Sequence, residues 1–344
     1  MEGRHFYVGF MRNEIDENRN IDKNGNDGFM YLMVYVGATE PTNVTFRYPW
    51  EQVGTTYAIG GDSILTIDIP PQYFTTLEVR YSEIPLYGII EITTDKKTIV
   101  YAMNTSRLSS DAYSALPVAN WGKEYVVVSV PNDSYLPVGI PADSIPRSCE
   151  FMIMASEDST LVQFSPKSET AKGKPANQLV SIYLMKGQCY VVMSSQKLER
   201  GLGDQTGTII KSDKPIGVLA GHVRTAIPVY YGEPLSYFKR DSKDHIVDML
   251  FPTKIWGTYY ISTPFNCLNS PGDLIRVVSI QPDTKVTAYG NNIFRDFVLT
   301  NPGMLKIFFL SEYPWYGLQI NRFKLLSLCR RVYMMTARNL TQVW

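Results

Sequence analysis

The residues that most often carry catalytic chemistry are scarce in this chain. There are only three histidines, at positions 5, 222 and 245, and four cysteines in 344 residues. No stretch approaches the roughly 18 to 20 consecutive apolar residues that a membrane-spanning helix needs. The 33 basic side chains balance the 33 acidic ones, so the chain lacks the broad positive surface that nucleic-acid binders use. We therefore expect no membrane span and no nucleic-acid partner.

The abundant residues are those of β-strands. Tyrosine occurs 23 times, and the frequent valine, isoleucine and threonine fit half-buried pleated strands. Short apolar runs separated by turn residues are typical of antiparallel sandwiches. Polar residues at 94–97 and 212–214 interrupt two longer apolar runs and predict a β-hairpin in each. The predicted fold class is all-β, built from antiparallel β-sandwich-like modules.

A repeated pattern divides the chain. Residues 116–125 begin Leu-Pro and end Trp-Gly-Lys-Glu-Tyr, and residues 251–260 begin Phe-Pro and end Trp-Gly-Thr-Tyr-Tyr. Internal repeats of this kind indicate tandem units, and weaker matches extend the pattern to the N-terminus. We predict three modules of about seven strands each: module one at 1–115, module two at 116–227, a linker at 228–250 that ends in one helical turn, and module three at 251–344, either complete or truncated.

The two Trp-Gly pairs are candidates for structural joints between modules. Trp121 with Gly122, and Trp256 with Gly257, stand at matching positions just before a strand. An aromatic ring can anchor such a joint, and glycine permits a close approach of the neighbouring chain. The alternative is an exposed aromatic site that binds sugar or protein.

His222 and His245 are predicted to make structural hydrogen bonds at the joint that follows module two. His245 lies between Asp244 and Asp248, so two alternatives stay open. One is a metal site that adds Asp241, and the other is acid-base catalysis by an imidazole that a carboxylate orients.

The four cysteines are far apart in the sequence and lack the close spacing of a zinc or dithiol redox site. Cys149 and Cys189 fall in module two, and Cys267 and Cys329 fall in module three. We predict one disulfide in each of these modules, with four buried thiols as the alternative.

Two irregular segments could bind ligands. The linker contains an aromatic segment that has no counterpart elsewhere, with Tyr230, Tyr231, Tyr237 and Phe238. This segment predicts a contact surface or packing over the joint. In the loop at 13–28, oxygen ligands alternate as calcium sites require, with the weak candidates Asp16, Asn18, Asp22 and Asn24. The EF-hand pattern fails there, because Asp27 and Met33 stand where glycine and glutamate are needed. We therefore predict a solvated loop, no metal and no cofactor.

A set of short motifs resembles the N-terminal domain family of IgGFc-binding proteins. In order they are Thr-Gly-Thr at 206–208, Ser-Asp-Lys-Pro-Ile at 212–216, Ala-Gly-His at 220–222, Asp-His at 244–245, Trp-Gly at 256–257 and Gly-Asp at 272–273. The resemblance implies an extracellular, non-catalytic binding or adhesion module. By resemblance only, it also implies a protein or glycan partner such as immunoglobulin Fc or a mucin.

Residues 1–4 do not form a signal peptide, although four glycosylation sequons, at Asn43, Asn104, Asn132 and Asn339, are compatible with secretion. The leading hypothesis is an extracellular module that binds a protein or glycan through its loops. The second is a structural spacer in a larger secreted or surface protein, and the third is a hydrolase.

Overall fold

A computed structural model describes residues 1–14, 30–106, 109–133, 147–198, 201–227, 243–261, 274–290, 293–309, 322–324 and 332–337. It confirms the all-β prediction. The helical residues of this part of the chain are confined to single turns, such as Phe74–Leu77 and Val118–Asn120. No helix in the described ranges is long and apolar enough to span a membrane.

Eight strands form the sheet of module one. They are β1 (Gly3–Met11), β2 (Tyr31–Ala38), β3 (Thr42–Arg47), β4 (Thr55–Ile59), β5 (Ser63–Asp68), β6 (Glu78–Val79), β7 (Ile89–Ser106) and β8 (Ser109–Ser114). The long strand β7 belongs to two halves of the sheet. Its first part pairs with β1 and β3, and its second part pairs with β2 and β8. Apolar residues from both halves lie in one buried cluster, as a β-sandwich requires.

The hairpin predicted at 94–97 is wrong, because β7 runs through these residues without reversing. The register against β1 jumps there: Gly3 pairs with Thr98, whereas His5 pairs with Thr93. Thr94 donates its hydroxyl to the carbonyl oxygen of Lys96 at 2.7 Å. The polar residues therefore form an irregularity in one long strand, a place where sheets bend.

Module two repeats this pairing scheme. Its strands are β9 (Gly122–Val126), β10 (Cys149–Ala155), β11 (Thr160–Phe164), β12 (Val180–Leu184), β13 (Cys189–Met193), β14 (Ile209–Thr225) and β15 (Asp244–Met249). Each strand of module two has a counterpart with equivalent partners in module one. Taken in chain order, β9 to β15 correspond to β1, β2, β3, β4, β5, β7 and β8. The long strand β14 passes through 212–214, so the second predicted hairpin is also wrong. Residues 244–249, which the sequence analysis assigns to the linker, form the last strand of this sheet, and the helical turn predicted there is wrong.

Module three contains β16 (Tyr259–Tyr260), β17 (Leu274–Ser279), β18 (Thr284–Gly290), β19 (Ile293–Leu299), β20 (Leu305–Phe309), β21 (Arg322–Lys324) and β22 (Val332–Ala337). These strands form two sheets, β16-β21-β18-β19 and β20-β17-β22. The pairings match those of the other modules if β21 and β22 together take the place of the long strand. The count of three copies stays a prediction, and this correspondence supports it.

The modules are stacked with shared cores. Met152, Met154 and Leu219 of module two belong to the same buried cluster as the core of module one. Val278 and Ile280 belong to the cluster that fills module two. All seven residues of β10 are buried, since one face of this strand packs in its own module and the other packs on module one.

Candidate binding surface and module joints

The two Trp-Gly pairs have the same local structure. In each, a proline opens a single 3-10 turn that ends at the tryptophan. The indole Nε1 of Trp121 donates to the carbonyl oxygen of Leu116 at 3.1 Å, and that of Trp256 donates to Phe251 at 3.0 Å. The glycine that follows donates its backbone N–H to a tyrosine hydroxyl three residues later, at 2.9 and 3.0 Å. We call this unit the Trp-Gly corner.

Each corner packs against the first strand of the preceding module. A methyl group added at Gly3 would lie 2.2 Å from Pro117 Cβ, and one added at Gly122 would lie 2.3 Å from Pro252 Cβ. Only glycine therefore lets the proline ring approach this strand. Polar contacts accompany the second joint, where Lys254 Nζ donates to the carbonyl oxygen of Trp121 at 2.8 Å.

His222 and His245 are fully buried on the neighbouring strands β14 and β15. His245 Nδ1 lies 3.0 Å from the carbonyl oxygen of His222, and His222 Nδ1 accepts the N–H of Arg224 at 3.1 Å. Burial lowers the pKa of His222 to about 3 and that of His245 to about 4. Both imidazoles are therefore neutral at neutral pH and enclosed by protein.

The carboxylates beside His245 are engaged in backbone hydrogen bonds. Asp244 Oδ1 accepts the N–H of Ser110 at 2.6 Å, which ties β15 to β8, and Asp248 Oδ1 accepts the N–H of Met249 at 2.8 Å. Among the residues that the structure describes, no three histidine, cysteine, aspartate or glutamate side chains could hold a metal ion together. Asp241 lies outside those residues.

The predicted disulfide between Cys149 and Cys189 is wrong, because both are free thiols. Cys149 opens β10, whereas Cys189 pairs with Met154 near the other end of that strand. Five strand residues place the two positions about 16 Å apart. Burial raises the pKa of both thiols to about 12, so the alternative of buried thiols holds for this pair.

Several predicted site residues lie outside the described ranges. They are Cys267 and Cys329, the aromatic residues Tyr230, Tyr231, Tyr237 and Phe238, and the weak calcium candidates Asp16, Asn18, Asp22 and Asn24. The predictions made for them stand as predictions.

One exposed aromatic group was missed by the sequence analysis. The rings of Tyr48 and Trp50 are stacked with centroids 5.0 Å apart and planes at 5°, and the Tyr73 ring lies 4.7 Å from that of Trp50. Trp50 is 43% exposed. We call these three residues the aromatic cluster. Tyr73 ends a 3-10 turn far along the chain, so only the local Tyr-Pro-Trp run could have drawn attention to the site.

Backbone contacts hold the aromatic cluster in place. Glu51 Oε2 accepts the N–H of Tyr48 at 3.0 Å, and the N–H of Glu51 donates to the carbonyl oxygen of Tyr48 at 3.1 Å. Burial, followed by the negative charge of Glu51, raises the pKa of Tyr48 to about 12. The phenol is therefore neutral, and Arg47 beside it is paired with Glu91.

Comparison with known proteins identifies the family. The family model described as IgGFc binding protein matches residues 111–309. A human protein named IgGFc-binding protein is 27% identical over 201 residues, which cover 58% of this chain and 3% of the relative. No solved structure matches significantly. The match includes all of module two and most of the described part of module three, and it confirms the resemblance seen in the motifs. The chain belongs to the IgGFc binding protein family.

Proposed function

We propose that this chain is a non-catalytic binding module of an extracellular protein and that it contacts a protein partner through the aromatic cluster. The family name, which refers to binding, supports a non-catalytic role. The burial of His222 and His245 supports it too, because a substrate would have to reach an imidazole for acid-base catalysis.

The half-exposed ring of Trp50, stacked on Tyr48, is the observation that carries this proposal. Tryptophan and tyrosine are enriched among the residues that dominate binding energy at interfaces. Rings already held by stacking and by Glu51 lose little conformational entropy when a partner binds. The paired charges of Arg47 and Glu91 next to the cluster resemble the polar rim of such interfaces.

The test measures binding of the purified chain to the Fc fragment of human immunoglobulin G, because the human relative carries that name. Surface plasmon resonance would compare the wild type with Trp50→Ala and with Tyr183→Ala. Tyr183 is 66% exposed on the edge strand β12 of another module, so it serves as the matched control. We expect Trp50→Ala to weaken binding by about 10-fold or more, as loss of an interface hot spot does, and Tyr183→Ala to change it little.

Equal binding by all three proteins would place the contact elsewhere and overturn the role of the aromatic cluster. Tyr230, Tyr231, Tyr237 and Phe238 are the second proposed contact, and alanine at these four positions would then be tested. Binding to a glycan array but not to Fc, lost on Trp50→Ala, would keep the site and replace the protein partner with a sugar.

A structural spacer is the second candidate function. The shared cores and the Trp-Gly corners, which we propose hold adjacent modules together, favour it. A spacer would bind neither Fc nor glycans at micromolar concentration.

A further inference from the structure

Module one has a largely apolar sheet face that the described residues leave open to solvent. Its apolar residues on β2, β5 and β7, which we call the tyrosine face, are Tyr31, Met33, Tyr35, Ile64, Tyr101 and Met103. Thr66 and Asp68 of β5, which pair with Tyr35 and Met33, lie at the edge of this face. Tyr35 pairs directly with Tyr101, and Met33 with Met103. Ile64 is 71% exposed and Tyr101 is 42% exposed. Three strands spaced about 4.8 Å apart give this face a projected area of a few hundred Å², the size at which exposed apolar patches mark interaction sites.

The corresponding face of module two is covered by protein. Its outward-pointing residues on β10 and β14 include Met152, which pairs with Leu219, and Met154. All three are buried in the cluster shared with module one. A methyl group added at Gly9 of β1 would lie 2.6 Å from Met152 Sδ. The first strand of one module therefore covers this face of the next.

Within the part of the chain that the structure describes, the start of module three is open in the same way as the tyrosine face. Gly257, Tyr259 and Ile261, which we call the end patch, correspond to Gly3, His5 and Tyr7 of β1. Ile261 is 59% exposed. A methyl group at Gly257 would meet no described atom closer than 3.8 Å, whereas its counterparts in modules one and two contact a proline.

We propose that a second copy of this chain binds head to tail, with its end patch on the tyrosine face of the first. The contact continues the stacking already present between modules one and two. Both surfaces consist mainly of apolar side chains, with Asp68 at the edge of the tyrosine face, and the balanced charge of the chain imposes no long-range repulsion between copies. A contact between two different surfaces leaves one of each free, so it extends beyond a dimer as concentration rises.

The experiment is sedimentation equilibrium across the micromolar range with one charged substitution on each surface. Tyr101→Lys disrupts the tyrosine face, and Ile261→Lys disrupts the end patch. The mass of the wild type is expected to rise with concentration past that of a dimer. Each variant alone is expected to stay monomeric. Their equimolar mixture is expected to form a one-to-one complex, because each variant keeps the surface that the other has lost.

Two controls separate this outcome from others. Tyr183→Lys and Trp50→Ala, both away from the two surfaces, are expected to associate as the wild type does, so a failure of the proposed partner binding leaves this test unaffected. Tyr31→Lys, checked for native circular dichroism, repeats the disruption at a second position of the tyrosine face. A wild type that stays monomeric throughout would overturn the proposal, and so would dimers of Ile261→Lys alone, which would indicate face-to-face pairing.

Discussion

Pro252 packs against Gly122 so closely that a methyl group on the glycine would lie 2.3 Å from the proline Cβ. The glycine of one Trp-Gly corner thus accommodates the proline of the next corner, in the following module. Gly3 and Pro117 repeat the relationship at the preceding joint. Gly122 also donates its N–H to the hydroxyl of Tyr125 in its own corner. It therefore makes contacts both within module two and with module three.

Replacing Gly122 with alanine is expected to destabilise the joint. The added methyl group must displace Pro252, and overpacking of this kind typically costs about 1 to 3 kcal/mol. Gly257→Ala is the matched control, because its methyl group would meet no described atom closer than 3.8 Å. Urea unfolding followed by tryptophan fluorescence would give both free energies. Equal losses for the two variants would show that proline packing is not the cause.

The sequence predicted the parts of this fold that local patterns encode. The all-β class followed from strand composition, and the common structure of the two Trp-Gly corners followed from their recurrence. The bent strands β7 and β14 could not be predicted, because polar residues such as those at 212–214 suit a hairpin turn as well as an irregularity. Which of the two forms depends on the partner strands, and these come from distant parts of the chain.

The candidate site shows the same limit. Tyr48 and Trp50 are separated in sequence by Pro49 alone, whereas Tyr73 follows two further strands, β4 and β5, along the chain. Residues 244–249, Asp-His-Ile-Val-Asp-Met, do not alternate polar with apolar side chains, so the sequence alone does not identify the strand β15. Pairing with β14 determines its structure. Contacts between positions far apart in sequence therefore account for most of what was missed.

A close backbone contact between modules two and three explains the glycine of the Thr-Gly-Thr motif at 206–208. Gly207 has a positive φ of 94°, and a methyl group there would lie 2.0 Å from the carbonyl oxygen of Gly303 in module three. Gly207→Ala combines backbone strain with this clash, whereas Gly173→Ala, at φ 79° with no described atom within 4 Å, has the strain alone. We expect Gly173→Ala to cost about 1 kcal/mol and Gly207→Ala distinctly more. Thermal unfolding by calorimetry would compare them, and similar losses would mean that the Gly303 contact contributes nothing.

Burial of His245 predicts a pH-dependent contribution to stability. Its pKa of about 4 in the folded protein lies below the value of about 6.5 in an unfolded chain. On acidification the unfolded state therefore takes up the proton first. The contribution is complete above about pH 6.5 and falls by up to about 1.4 kcal/mol per pH unit towards pH 4.

His245→Asn isolates this effect, because its amide can still donate to the carbonyl oxygen of His222. The raised pKa values of Asp111, about 7, and Asp248, about 6, act in the opposite direction in both proteins and cancel in the difference. We expect the difference in unfolding free energy, wild type minus variant, to decrease from pH 7 to pH 4 in urea titrations. A difference that is constant with pH would contradict the neutral, buried state of His245.

The glycosylation sequons differ in their surroundings, which gives a test of the folded structure in a secretory cell. Asn43 is exposed, whereas Asn104 and Asn132 are buried and donate their amides to the carbonyl oxygens of Met11 at 3.0 Å and Ser195 at 2.9 Å. A glycan could not be packed around either buried amide, whereas the amide of Asn43, which donates to Asp95, lies at the surface. We therefore expect the chain secreted from a eukaryotic cell behind a leader peptide to carry sugar at Asn43 and at neither buried position. Peptide mass spectrometry after enzymatic deglycosylation would read the three sites, with Asn43→Gln as the control, and sugar on Asn104 or Asn132 in folded protein would contradict their placement.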